Sequence, residues 1–146
     1  MCSSDLRRLE VEVTESAIIH DLGAARKTLN DLRTAGVHIV MDDFGKGFSS
    51  LYHLRELHFD KLKIDASFIR RITEDHGALA IIRAIAGMSE GLGLTVTAEG
   101  IERCDQVRAL MEHRIHRGQG YVFGHPMPAG EARRLISTSE HIQMVA

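Results

Sequence analysis

The strongest constraint on this chain is a repeat: short apolar runs carry polar residues of one parity, and each run gives way to a helix-like segment. In Leu9-Glu10-Val11-Glu12-Val13-Thr14-Glu15-Ser16 the alternation is that of a strand. Leu9, Val11 and Val13 take one face and Glu10, Glu12 and Thr14 the other, so Glu12 is read as a strand-end carboxylate, with Glu15 in the loop that follows. Taken alone, the charged face fits a solvated edge strand equally well. Further strands are expected at 37–42, at 62–65 with Lys63 inward, at 94–100 with Thr95, Thr97 and Glu99 on one face, and at 118–123 with Gln119.

Helices are expected between them at 25–34, 51–57, 66–71, 78–90 and 105–112, with a terminal one at 130–137. Gly36 sits where a helix C′ glycine belongs, and Gly91 and Gly93 are read as the end of the fourth helix. Strand then helix, repeated, implies parallel strands joined by right-handed crossovers. Glu12, Asp42, Lys63 and Glu99 share one inward parity, and Gln119 comes from a fifth segment. Polar groups gathered at the C-terminal ends of parallel strands are where (β/α) barrels place their chemistry. A doubly wound sheet would bind at one crevice and would not need a charged group from every strand. The fold expected is therefore α/β, a partial (β/α)8 TIM-like barrel.

Asp42 and Asp43 close an apolar run and open a loop punctuated by Gly45 and Gly47. If Asp42 ends its strand, the two carboxylates point in different directions, which suits a pair of divalent cations sharing one carboxylate. An isolated Asp-Asp-Phe-Gly is also an ordinary acidic turn. The same Asp-Phe-Gly occurs in protein kinases, but no Gly-rich loop or His-Arg-Asp segment precedes it here. Lys63 among inward carboxylates has a structural reading as an ion pair and a functional one as a cation that moderates their repulsion.

Composition excludes several classes. The 146 residues, 44% hydrophobic and 26% charged, suffice for one domain with a core. A formal charge of −2, with basic residues in scattered pairs, argues against a polymer-coating nucleic-acid binder, and 5% aromatics without tryptophan argues against a base-stacking platform. Residues 78–88 are broken by Arg83 and too short to span a bilayer. Cys2 and Cys104 form no spaced motif and are read as free thiols in a reducing cytoplasm. Nine histidines include the helix-spaced His113 and His116, but without Cys or acidic partners in register these are read as surface residues and not a zinc site.

Five segments, 9–16, 42–51, 62–68, 97–102 and 118–123, together resemble the EAL-type cyclic-di-GMP phosphodiesterase domain, in that family's order and approximate spacing. The resemblance implies a modified (β/α)8 barrel and hydrolysis of cyclic di-GMP to linear pGpG with two Mg²⁺ or Mn²⁺ ions. By position, Glu12, Asp42 and Asp43 look like metal ligands, Lys63 like the residue holding the attacking water, and Glu99 like a catalytic carboxylate that helps bind the second metal or accepts a proton. Gln119 and Glu102 resemble active-site or substrate-binding residues, and Glu15 would pin the loop after Asp43, which in the family links metal binding to homodimerisation. Upstream sensor or cyclase-like domains are common in the family.

The match also implies what is missing. A full (β/α)8 domain needs about 250 residues, and the family's Glu-Ala-Leu segment, with a metal-binding glutamate and asparagine, has no counterpart here. Residues 1–146 are accordingly expected to be a truncated domain, about the last five βα units, with little turnover by itself. Lys46 stands where the family usually has a small residue, and Ile115-His116 replaces a common Cys-Asp. The alternative is a catalytically silent cyclic-di-GMP receptor or protein-interaction module.

Overall fold

The computed structural model describes residues 6–19, 21–45 and 50–138. After one 3-10 turn at Leu6–Arg8, four strands alternate with helices: β1 Glu10–Thr14, β2 His38–Phe44, β3 Lys61–Ile64 and β4 Thr95–Ala98. The helices are α1 Glu15–Ile19, α2 Leu22–Thr34, α3 Ser50–Leu57, α4 Ala66–Arg70, α5 His76–Leu92, α6 Cys104–Glu112 and α7 Ala129–Thr138. All strand pairs are parallel and lie in chain order, β1-β2-β3-β4.

Helix starts follow from aspartates whose side chains satisfy the first free amides. Asp21 accepts from Ala24 N–H at 2.9 Å, Asp65 from Ser67 N–H at 3.0 Å, and Asp75 from Gly77 and Ala78 N–H at 2.7 and 3.3 Å. These bonds to the charged form hold the Asp75 carboxyl below its usual range. Gly93, at φ 69°, closes α5 in the left-handed conformation that glycine adopts freely, whereas Gly91 lies within the helix and does not end it.

Strand alternation sorts the sheet into two chemically different faces. Ile39, Met41, Leu62, Ile64 and Ala98 point to the helices and are fully buried, forming the core with Ile18, Ile69, Ile82 and Ile101. Each isoleucine, leucine or methionine among them contributes roughly 1.5–3 kcal/mol by leaving water. Glu10, Glu12, Asp42, Lys61 and Lys63 are on the opposite face, in register across β1, β2 and β3. Lys61 pairs with Glu10 across the intervening strand.

Three sequence expectations need correction. Leu9 lies outside β1 and is 49% exposed, because the strand begins at Glu10. Neither Glu12 nor Asp42 ends its strand: Glu12 is mid-strand, and β2 runs on through Asp43 to Phe44. Residues 118–123 form no fifth strand. Gly118 makes one parallel bridge to Ala98, after which Phe123 N–H donates to Gly120 O and Gly124 N–H to Tyr121 O, turning the chain away. Close approach sets that path, since a Cβ on Gly120 would lie 2.1 Å from the Ile101 carbonyl oxygen.

Candidate active site

The polar face of the sheet converges on one ammonium. Lys63 Nζ lies 2.7 Å from Glu12 Oε1, 2.6 Å from Glu99 Oε1 and 3.6 Å from Asp42 Oδ1. The partners come from β1, from β2 and from just beyond β4, so parallel register brings together residues far apart in sequence. The Lys63 side chain is 9% exposed. Burial by itself would lower its pKa, but hydrogen bonds to Glu12 and Glu99 and the charges of Glu99 and Asp42 outweigh it and hold the pKa above the ordinary lysine value.

Asp42 and Asp43 owe their placement to an irregularity in β2. Met41 pairs with Leu62 and Phe44 with Ile64, so two aspartates stand opposite the single residue Lys63. This is the arithmetic of a β-bulge. Asp43 takes φ 56°, a conformation that Asp tolerates better than most residues, and its N–H donates to Asp42 Oδ1 at 2.8 Å. Simple alternation, which would turn Asp43 toward the apolar layer, is thereby broken.

Beyond the lysine, Gln119 Nε2 donates to Glu99 Oε1 at 3.2 Å, so Glu99 is shared by an ammonium and an amide. A cavity of about 470 Å³ adjoins this pair and is lined by Arg70, Glu102, Gln119, Tyr121 and His125. The Tyr121 and His125 rings lie 4.4 Å apart at 32°. The segment carrying Glu99 and Glu102 is tied down by Gln106, which is 1% exposed. Its Oε1 accepts from Glu102 and Arg103 N–H at 2.9 and 3.0 Å, and its Nε2 donates to the Ile69 carbonyl at 3.1 Å.

Of the residues singled out from sequence, Glu12, Asp42, Lys63, Glu99 and Gln119 form one connected group, Glu102 lines the adjoining cavity and Asp43 sits at the bulge. Glu15 is the first residue of α1, and its side chain lies outside the described residues, as do Lys46 and the rest of 46–49. Sequence reading missed Gln106, Arg70 and Tyr121. Gln106 carried a signal, since a glutamine three residues into a helix is the capping-box position.

The donor chemistry of Glu12, Asp42 and Asp43 is all oxygen and suits hard divalent cations. Among the described residues, however, no group of three or more His, Cys, Asp or Glu is arranged to hold a metal ion. Glu12 and Asp42 turn toward Lys63 instead, so these residues offer part of a cation site and not a full ligand shell.

Comparison with known proteins decides the family: the EAL domain profile matches residues 3–126. The chain belongs to the EAL domain family. The solved EAL domain of Mycobacterium smegmatis DcpA superposes with a TM-score of 0.82 at 36% identity, covering 88% of this chain and 57% of that one. Klebsiella pneumoniae BlrP1, solved as a manganese and cyclic di-GMP complex, gives a TM-score of 0.78 at 37% identity over 82% of this chain and 31% of that one. Among named relatives, the cyclic di-GMP phosphodiesterase NbdA of Pseudomonas aeruginosa is 42% identical over 120 residues, 82% of this chain and 15% of NbdA. The chain spans between 15% and 20% of the length of the curated relatives it matches. The four-stranded parallel sheet of this EAL chain is an arc of a TIM-like (β/α) barrel, as the expected fold class required. No helix among the described residues is long and apolar enough to cross a membrane.

Proposed function

We propose that the protein carrying this chain hydrolyses one phosphodiester bond of cyclic di-GMP to linear pGpG, with the Lys63 cluster as the reaction centre. The observation that carries the reading is a buried ammonium held by carboxylates from β1, from β2 and from just beyond β4, beside a cavity lined by Arg70, Glu102, Gln119 and Tyr121. A phosphodiester is anionic, so the site must present fixed positive charge where negative charge develops. Lys63 stays protonated at any working pH, and its third N–H can orient a water while the other two serve Glu12 and Glu99. Glu99, already an acceptor from both Lys63 and Gln119, is the carboxylate assigned to take the water's proton.

Glu12, Asp42 and Asp43 are the residues that would hold two Mg²⁺ or Mn²⁺ ions, with ligands from elsewhere in the protein completing the shell. Bound there, such ions supply a lowered pKa for coordinated water and offset charge on the phosphate. Gln119 and Glu102 are assigned to substrate, the Glu102 carboxylate being a natural acceptor for guanine N–H groups. The reading extends to a homodimer through the loop after Asp43, pinned by Glu15, and to upstream sensor or cyclase-like domains. It places the domain in the cytoplasm, where the exposed, free Cys104 stays reduced.

One observation favours the second reading, a cyclic-di-GMP receptor without turnover: Lys63 fills the centre of the carboxylates, and the described residues form no metal cage. Incubating the whole protein with cyclic di-GMP and Mg²⁺ or Mn²⁺, and following both binding and pGpG release, separates the two. Turnover that Asp42→Ala abolishes without loss of fold supports the enzyme; binding without release supports the receptor; neither binding nor release overturns both.

A further inference from the structure

At the opposite end of the sheet from the Lys63 cluster, a cavity of about 580 Å³ opens between α5, the first residues of β4 and the turn after α6. Three arginines, Arg83, Arg114 and Arg117, line it together with His113 and His116. Only two carboxylates, Glu90 and Glu112, face them. Arg114 lies 3.5 Å from Glu90, but both side chains are more than two-thirds exposed, at 80% and 71%, and solvent screening leaves such a pair weak. Among the described residues, neither Arg83 nor Arg117 has a carboxylate within 4.0 Å. The cavity therefore carries unneutralised positive charge.

Two further features mark the cavity wall. Ser89, 1% exposed, lines the cavity, and among the described residues its hydroxyl oxygen has no hydrogen-bond partner. Buried hydroxyls are rarely left so. Arg114 takes φ 62° in the turn that ends α6, where its N–H donates to Met111 O and Ile115 N–H donates to Leu110 O. Glycine is the residue the backbone favours at such a position. An arginine there has no backbone rationale, yet it stands on the cavity wall.

We propose that this cavity binds a small phosphate-bearing anion, either a free phosphoanion or the phosphate of a nucleotide, at a site separate from the reaction centre. Guanidinium forks match phosphate oxygens in pairs. The volume suits a nucleotide-sized ligand. Thr95, on the cavity wall, and Glu99, in the Lys63 cluster, are connected through β4, roughly 13 Å apart at the rise of a strand. The inference does not depend on the reaction assigned to the Lys63 cluster, whose carboxylates repel anions when no metal is present.

Isothermal titration of inorganic phosphate, and separately of GMP, into the whole protein in metal-free, low-salt buffer tests it. Saturable one-to-one binding is expected, weakened about tenfold or more by Arg114→Gly and by Arg117→Gln, as loss of a charge-assisted contact requires. Arg114→Gly should leave Tm unchanged or raise it, separating binding from folding, and Arg55→Gln, on the exposed face of α3, should leave affinity unchanged. Equal affinity for both probes identifies the bare phosphate as the ligand, and tighter GMP binding identifies a nucleotide. Absence of saturable binding by either probe, or the same loss from Arg55→Gln as from Arg117→Gln, overturns the proposal.

Discussion

Lys63 is the residue on which the polar face is balanced. Its folded pKa lies above the unfolded value of 10.5, so its contribution to stability is complete below that pH and is lost only as pH rises through the folded value. Between pH 6 and pH 9 this lysine adds no slope to the stability curve. Lys63→Met inverts the situation: Glu12, Asp42 and Glu99 then face one another without a cation, and the repulsion among them makes the variant less stable at pH 8 than at pH 5. The expected loss at pH 8 is roughly 1–3 kcal/mol, less than for a fully buried pair because Glu12 is half exposed. Urea unfolding at pH 8 and pH 5 checks this, and a loss of equal size at both would show that the carboxylates do not interact. Asp43 offers a second test at the same scale. Asp43→Gly relieves the φ 56° backbone and should leave Tm unchanged or higher, while the whole protein loses divalent-cation-dependent turnover.

At the scale of elements, the bulge in β2 and the turn at Gly118 and Gly120 do most to shape the site. Gly120→Ala forces a Cβ against the backbone of Ile101, which cannot swing aside as a side chain could. A loss of about 1–3 kcal/mol is expected, by analogy with overpacked cores, together with displacement of Gln119 from Glu99; thermal unfolding and the Gln119 side-chain amide resonances would report each. These two elements also mark the boundary of what the sequence discloses. Period-two alternation in β1 and the polar parity of Asp42, Lys63 and Glu99 were legible, because strand faces follow from spacing alone. The bulge was not, since it depends on how β2 pairs with β3 and not on the order of its own residues. The turn at 121–124 read as a strand because Tyr121, Val122 and Phe123 have strand propensity, which a close backbone approach at Gly120 overrides. Gln106 escaped notice because its role lies in buried bonds to segments at Glu102 and Ile69 that composition cannot place.

For the whole molecule, the apolar face is covered by helices while the polar face and the outer edge of β1 have no partner strand among the described residues. Leu9, Tyr121, Phe123 and Leu135 are each between 46% and 58% exposed. Unpaired strand edges beside exposed apolar groups favour association. The isolated chain is therefore expected to self-associate at micromolar concentration, and sedimentation velocity showing a clean monomer would contradict this. The account as a whole rests on the claim that Lys63 and the carboxylates around it are a reaction centre and not only an internal ion-pair network. The most direct measurement is steady-state hydrolysis of cyclic di-GMP by the whole protein and its Lys63→Met variant, with Mg²⁺ or Mn²⁺ saturating. The account predicts that kcat falls by about 10²–10³-fold, the scale of losing one preorganised donor at a reaction centre, with KM little changed; kcat within a factor of about two of the parent, well inside that scale, would contradict it.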